Sequence, residues 1–146
     1  MSGQLLIVDI GGYTFGAPVE AVAEILATPT VTPIPQTPAA VAGVAMVRGQ
    51  ALTVLTLRPS FGMSDAPVAL ALRWGGQRGT ALVAIDRVDS LWEAPSDPLP
   101  DEAWHHLVPP AIAQLVTCGY RFGSDWLWSL APDLPERLYQ SLLSAT

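Results

Sequence analysis

The sequence predicts an all-β barrel or sandwich with short helical trimmings and one firm helix near its C-terminal end. Three observations carry that prediction. Fourteen prolines and twelve glycines cut the 146 residues into short pieces, a punctuation that breaks long helices and favours strands joined by turns. Between the breaks, apolar residues run in short blocks or alternate with period two, as strands do. Only at the end does the period lengthen, where Leu134, Leu138 and Leu142 recur every four residues on one helix face.

The elements follow in order. Residues 5–10 form an apolar first strand, Gly11-Gly12 its turn, and 13–17 the returning strand. Pro18 stands where it can open a short helix over 19–24, with Val19, Val22 and Ala23 at helical spacing. Four prolines in 28–38 impose an extended loop, and 39–42 reads as one helical turn before Gly43. Residues 44–47 and 51–55 flank Arg48-Gly49-Gln50, a hairpin with a three-residue connection. A helical turn over 57–61 ends at Gly62. Val68, Leu70, Leu72 and Trp74 alternate with Ala69, Ala71 and Arg73, the pattern of a half-buried strand. Gly75-Gly76-Gln77-Arg78-Gly79 turns the chain into strands 80–85 and 88–92. Residues 96–110 are a second proline-rich interval, after which 114–118 and 126–130 resume the strands. Asp133, with Glu136 three positions on, resembles a capping box opening the helix 134–144. The total is nine or ten strands in a chain long enough for one domain, residues 1–146.

Composition excludes several functions. Half of the chain is hydrophobic and 14% is charged, against about 25% in ordinary soluble proteins. All seven cationic residues are arginine and the net charge is −6, so no basic surface exists to displace counterions from nucleic acid or to seek an anionic membrane. The apolar content opposes disorder. A single cysteine, Cys118, allows no internal disulfide and suits a reducing compartment. The N-terminus lacks a basic segment, and Asp9 interrupts the first apolar run. No stretch reaches the roughly 18 apolar residues of a membrane span. The expectation is a cytoplasmic protein without membrane insertion.

Chemical candidates are few. His105-His106 lies near Asp101 and Glu102 in sequence, but adjacent residues of an extended chain point opposite ways, and no zinc-ligand spacing is present. The pair reads as solvated loop histidines. Cys118, which a histidine could activate, reads as a buried, inert thiol. The Gly75 to Gly79 loop joins two strands and lacks the lysine of a phosphate loop. Asp86 and Asp89, three apart along a strand, face opposite ways and make no carboxylate dyad. The reading is no catalytic residue, no metal and no cofactor. What stands out is a charge pair in apolar company, Glu24 within Val22-Ala23-Glu24-Ile25 and Arg48 within Met46-Val47-Arg48-Gly49-Gln50. Each needs a partner or open water.

The order of these pieces resembles the CheW family of bacterial chemosensory scaffold proteins. Val8 to Pro18 resembles the family's opening hairpin, and Val22-Ala23-Glu24-Ile25 its V-x-E-I signature. Pro38 to Val44 resembles P-x-x-(V/I)-x-G-(V/I). Val47-Arg48-Gly49-Gln50-Ala51-Leu52-Thr53-Val54-Leu55-Thr56-Leu57-Arg58, followed by Phe61-Gly62, resembles the family's N-L-R-G segment and the strand after it. Ala81 to Val88 resembles G-(I/L)-x-V-D-x-V. The resemblance covers residues 5–143. Departures are Met46 and Val47 for the Asn and Leu before Arg-Gly, Thr53 for Pro, and Thr56 for the acid.

The resemblance implies two SH3-like five-stranded β-barrel subdomains sharing an apolar core. It implies no enzyme but an adaptor in two-component signal transduction. Such an adaptor couples the cytoplasmic tip of a methyl-accepting chemoreceptor to the regulatory domain of a CheA-type histidine kinase, in chemotaxis or pilus motility. The alternative is a divergent paralogue serving only as a structural docking component, without receptor coupling. Carried onto this chain, Glu24 and Arg48 fall on positions tied to receptor engagement and proposed to pair. Val22, Val47 and Gly49 would lie beside them in the groove between the barrels, with Val22 and Val47 giving it exposed apolar surface.

Overall fold

The computed structural model describes residues 3–64, 66–75 and 81–144. Gln4–Ile10 (β1) turns at Gly11-Gly12 into Tyr13–Pro18 (β2), and the register runs from Leu5 opposite Pro18 to Ile10 opposite Tyr13. A single 3-10 turn, Val19–Ala21, leads to Val22–Ala27 (β3). The helix expected over 19–24 is therefore a 3-10 turn in its first half and strand in its second. Valine and isoleucine favour extended backbone, and pairing with a distant strand outweighs a short helical pattern. The two-residue strand Val31–Thr32 (β4) lies within the proline-rich loop, and Val41–Val47 (β5) starts where a helical turn was expected to end. Gln50–Leu55 (β6), a 3-10 turn Arg58–Phe61 closed by Gly62, Leu70–Trp74 (β7), Ala81–Ile85 (β8) and Arg87–Glu93 (β9) follow.

The second proline-rich interval contains the helical turn Asp101–Trp104 (α1) and a 3-10 turn His105–Leu107, and the helical turn Pro110–Ala113 (α2) begins at its last residue. Val116–Phe122 (β10) and Asp125–Leu130 (β11) form the last hairpin, and Leu134–Ser144 (α3) is the helix expected there. Asp133 Oδ1 accepts a hydrogen bond from Arg137 Nε at 2.9 Å. Beyond Gly75, the expected turn through Gly79 lies outside the described residues, as does the side chain of Leu142.

The strands make two sheets, ordered β10-β11-β2-β1-β9 and β3-β7-β8-β6-β5-β4. Each contains one parallel neighbour, β11 with β2 and β6 with β8. The second sheet has six strands rather than the five expected, the extra one being β4. Burial separates three apolar clusters. Leu5, Ile7, Ala94 and Leu127 fill the inside of the first sheet, with Trp92, Tyr120 and Phe122 against them. Ala45, Val47, Leu52, Val54, Ala71 and Leu82 fill the second. Between the sheets lies a larger shared core, to which β1 gives Leu6, Val8 and Ile10, β7 gives Leu72 and Trp74, and α3 gives Leu134 and Leu138. β1 and β7 thus bury both faces, and the half-buried reading of β7 is corrected, because Ala71 on the supposed outer side is fully buried.

Candidate partner-binding groove

The site is built around the turn between β5 and β6. Val47 pairs with Gln50, so the connection is the two-residue Arg48-Gly49 rather than three residues. Both turn residues have positive φ, 48° and 81°, the form of hairpin turn whose twist suits its strands. A side chain at Gly49 would meet nothing within 4 Å, so glycine is needed for its backbone conformation and not for room. Arg48 holds the left-handed conformation without glycine's freedom. Its guanidinium donates to Glu24 on β3, tying that edge strand to the turn.

Glu24 serves two arginines. Arg73, set opposite it in the β3–β7 register, donates from Nη1 at 3.2 Å and from Nη2 to Gln50 Oε1 at 3.1 Å. The hydrogen bond from Arg48 holds the Glu24 carboxyl below its ordinary pKa; desolvation opposes this and the Arg73 bond adds to it. The Arg73 side chain is only 16% exposed, Glu24 26% and Arg48 65%.

Beside this network runs an open apolar groove of about 360 Å³ between the two sheets. Leu6 and Leu91, register partners on β1 and β9, form one wall. Val19, Val22 and Ile25 form the other, with Glu24. Ile25 is 45% exposed and Leu91 61%, unusual for large aliphatics with nothing on them.

Of the residues expected here, Val22 and Glu24 line the groove, Arg48 reaches it through Glu24, and Gly49 shapes the turn. Val47 does not expose apolar surface. Strand alternation turns it inward to Leu52 and Val54, and it is Met46 that stands out, 65% exposed. Sequence reasoning missed Leu6, Val19, Ile25, Leu91 and Arg73. For Leu6 the available signal was unbroken hydrophobicity where a one-sided strand would alternate.

The chemical candidates stay apart from the groove. His105 and His106 are exposed, and the His105 ring sits 4.5 Å from that of Trp104. Cys118 is half-buried rather than buried, with its thiol 3.4 Å from the Tyr120 hydroxyl. Burial, then the Cys118 contact, pushes that phenol above its ordinary pKa. Asp86 accepts from the Gly11 N–H at 2.8 Å and from Arg58 at 3.3 Å, while Asp89 contacts Ser90. Among the described residues no group of three or more His, Cys, Asp or Glu could hold a metal ion, and no helix is long and apolar enough to cross a membrane.

Comparison with known proteins agrees with this architecture. The crystal structure of scaffolding protein TtCheW from Thermoanaerobacter tengcongensis is similar in fold. It has a TM-score of 0.73 and 17% identity, over 90% of this chain and 85% of that one. No curated protein matches the sequence. A family model for the CheW-like domain matches residues 4–116, most of the chain, which therefore belongs to the CheW-like domain family.

Proposed function

We propose that the chain, acting as one domain, is a non-catalytic cytoplasmic adaptor in a bacterial chemosensory array. It seats the helical tip of a chemoreceptor in the groove and binds the regulatory domain of a CheA-type histidine kinase elsewhere on its surface. One observation carries this reading: an exposed apolar cleft walled by both sheets, with the Glu24–Arg48 pair at its edge. An amphipathic helix needs apolar depth for anchors one turn apart and a few fixed charges to set its register. Ile25 and Leu91 supply the first, Glu24 and Arg48 the second. Family membership and the fold shared with a scaffolding protein support the same role.

The test uses a receptor-tip fragment and a kinase regulatory domain from the same genome, each titrated calorimetrically against the whole chain. Both bind. Arg48→Glu sets two acids side by side and weakens receptor binding about tenfold or more, leaving kinase binding unchanged. Failure to bind either partner overturns the proposal. Binding to the kinase alone identifies a docking component without receptor coupling.

A further inference from the structure

At the other end of β1 from Leu6, the five-stranded sheet carries a second recess. β11 and β2 run parallel with Trp128 opposite Phe15, and the same register carried two residues back sets Trp126 beside Tyr13. Gly12, Tyr13, Thr14, Asp125, Trp126 and Trp128 line an open hollow of about 250 Å³. Its aromatic wall is fixed from behind. Tyr13 stacks on Phe61 with ring centres 4.6 Å apart and meets Trp128 at 6.0 Å, tilted by 56°. Trp128 is buried, Tyr13 and Trp126 are half-buried, and Asp125 stands exposed at the rim.

Aromatic faces with a carboxylate beside them suit an organic cation, since ring quadrupole and formal charge attract the same group. Among the described residues no arginine lines the recess. Arg48, Arg58, Arg73, Arg87 and Arg137 are each paired with a carboxylate elsewhere, and Asp125 is in none of those pairs. Arg121 is outside the lining, yet its guanidinium carbon lies 4.9 Å from the Trp126 ring centre. Trp126 therefore already engages one cation through its π system.

We propose that this recess takes the cationic end of a lysine or arginine side chain from a protein partner, as a contact independent of the groove. Its small, open form suits a side-chain end presented from a partner's surface. An open hollow of 250 Å³ falls below the roughly 300–1,000 Å³ of clefts that enclose small ligands. Charge agrees, because a chain of net charge −6 without lysine attracts basic surfaces.

The intact chain is titrated with N-acetyl-lysinamide, N-acetyl-argininamide, the neutral N-acetyl-norleucinamide and tetramethylammonium, and followed by NMR. One or both cationic amides should shift the Tyr13, Trp126 and Trp128 signals saturably, and norleucinamide should not. Asp125→Asn, a change at an exposed position, should weaken that binding about two- to fivefold while signals elsewhere keep their places. Arg48→Glu should leave it unchanged. Equal shifts with norleucinamide, no saturation with either cationic amide, or unchanged affinity in Asp125→Asn overturns the proposal. Tighter binding of tetramethylammonium than of both amides overturns it in favour of a small quaternary ammonium ligand.

Discussion

Glu24 is held by two arginines that differ in how firmly they are themselves held. Arg73 is mostly covered and also bonded to Gln50, whereas Arg48 reaches out from a turn with its side chain 65% exposed. Arg48 can therefore leave for an acid on a docking helix without stranding Glu24, which keeps Arg73. Titration of the Glu24 carboxyl followed by NMR checks the arrangement. Its midpoint should lie below the ordinary glutamate value of about 4.3 and rise in Arg48→Gln, where desolvation opposes the Arg73 bond that remains. The sign for stability follows: with the folded-state pKa lowered, the contribution is complete above the unfolded-state pKa and fades as pH falls through the folded one. A midpoint in Arg48→Gln equal to that of the native chain would contradict the roles assigned to the two arginines. The pairing of Glu24 with Arg48 was legible through the family resemblance, while the residues alone left each with a partner or open water; Arg73 was not legible, because its nearness to Glu24 depends on the β3–β7 register.

Elements were legible where one face meets water or where a turn residue is unmistakable. The Gly11-Gly12 hairpin, the β5–β6 hairpin and α3 fall where spacing and glycine put them. β3 was missed for a reason tied to the site. Its half-covered side carries the charged Glu24 while the large apolar Ile25 stands exposed, so Val22-Ala23-Glu24-Ile25 lacks the hydrophobic alternation of a strand covered on one side. The short helices of 101–113 cap the core and owe their place to packing. Trp104 is fully buried against β10, where a methyl group added at Gly119 would come within 2.8 Å of its ring. Gly119→Ala should therefore destabilise the fold by about 1–3 kcal/mol through overpacking. Leu138→Ala, emptying a position 2% exposed in the shared core, should cost about 2–5 kcal/mol. Denaturant unfolding measures both, and a neutral Gly119→Ala would show that Trp104 can yield.

At the scale of the molecule, most of the described arginines are engaged by the chain's own carboxylates. Five arginines hold carboxylates across or within its own elements, which leaves an acidic exterior broken by apolar residues such as Ile25, Met46 and Leu91. The two sheets are joined by chain order as well as by the shared core. β3 through β8 form one sheet without interruption, and the other is assembled from β1 and β2 before that block and β9 through β11 after it. Its closure brings together groups such as Arg87 and Asp9, 78 residues apart. Chain continuity then sets an order of events. The inserted sheet can zip up while its flanking strands are still searching, since its pairings close shorter loops. During synthesis, β1 waits without β9 until nearly two thirds of the chain has emerged. Pulse-labelled hydrogen exchange during refolding should find the amides of β5 and β6 protected before those of β1 and β9, and the reverse order would refute it. The groove, walled by Leu6 and Leu91 on one side and by β3 on the other, is then among the last surfaces to exist. Any partner docking in the groove would meet it only after the long-range pairing of β1 with β9 is complete.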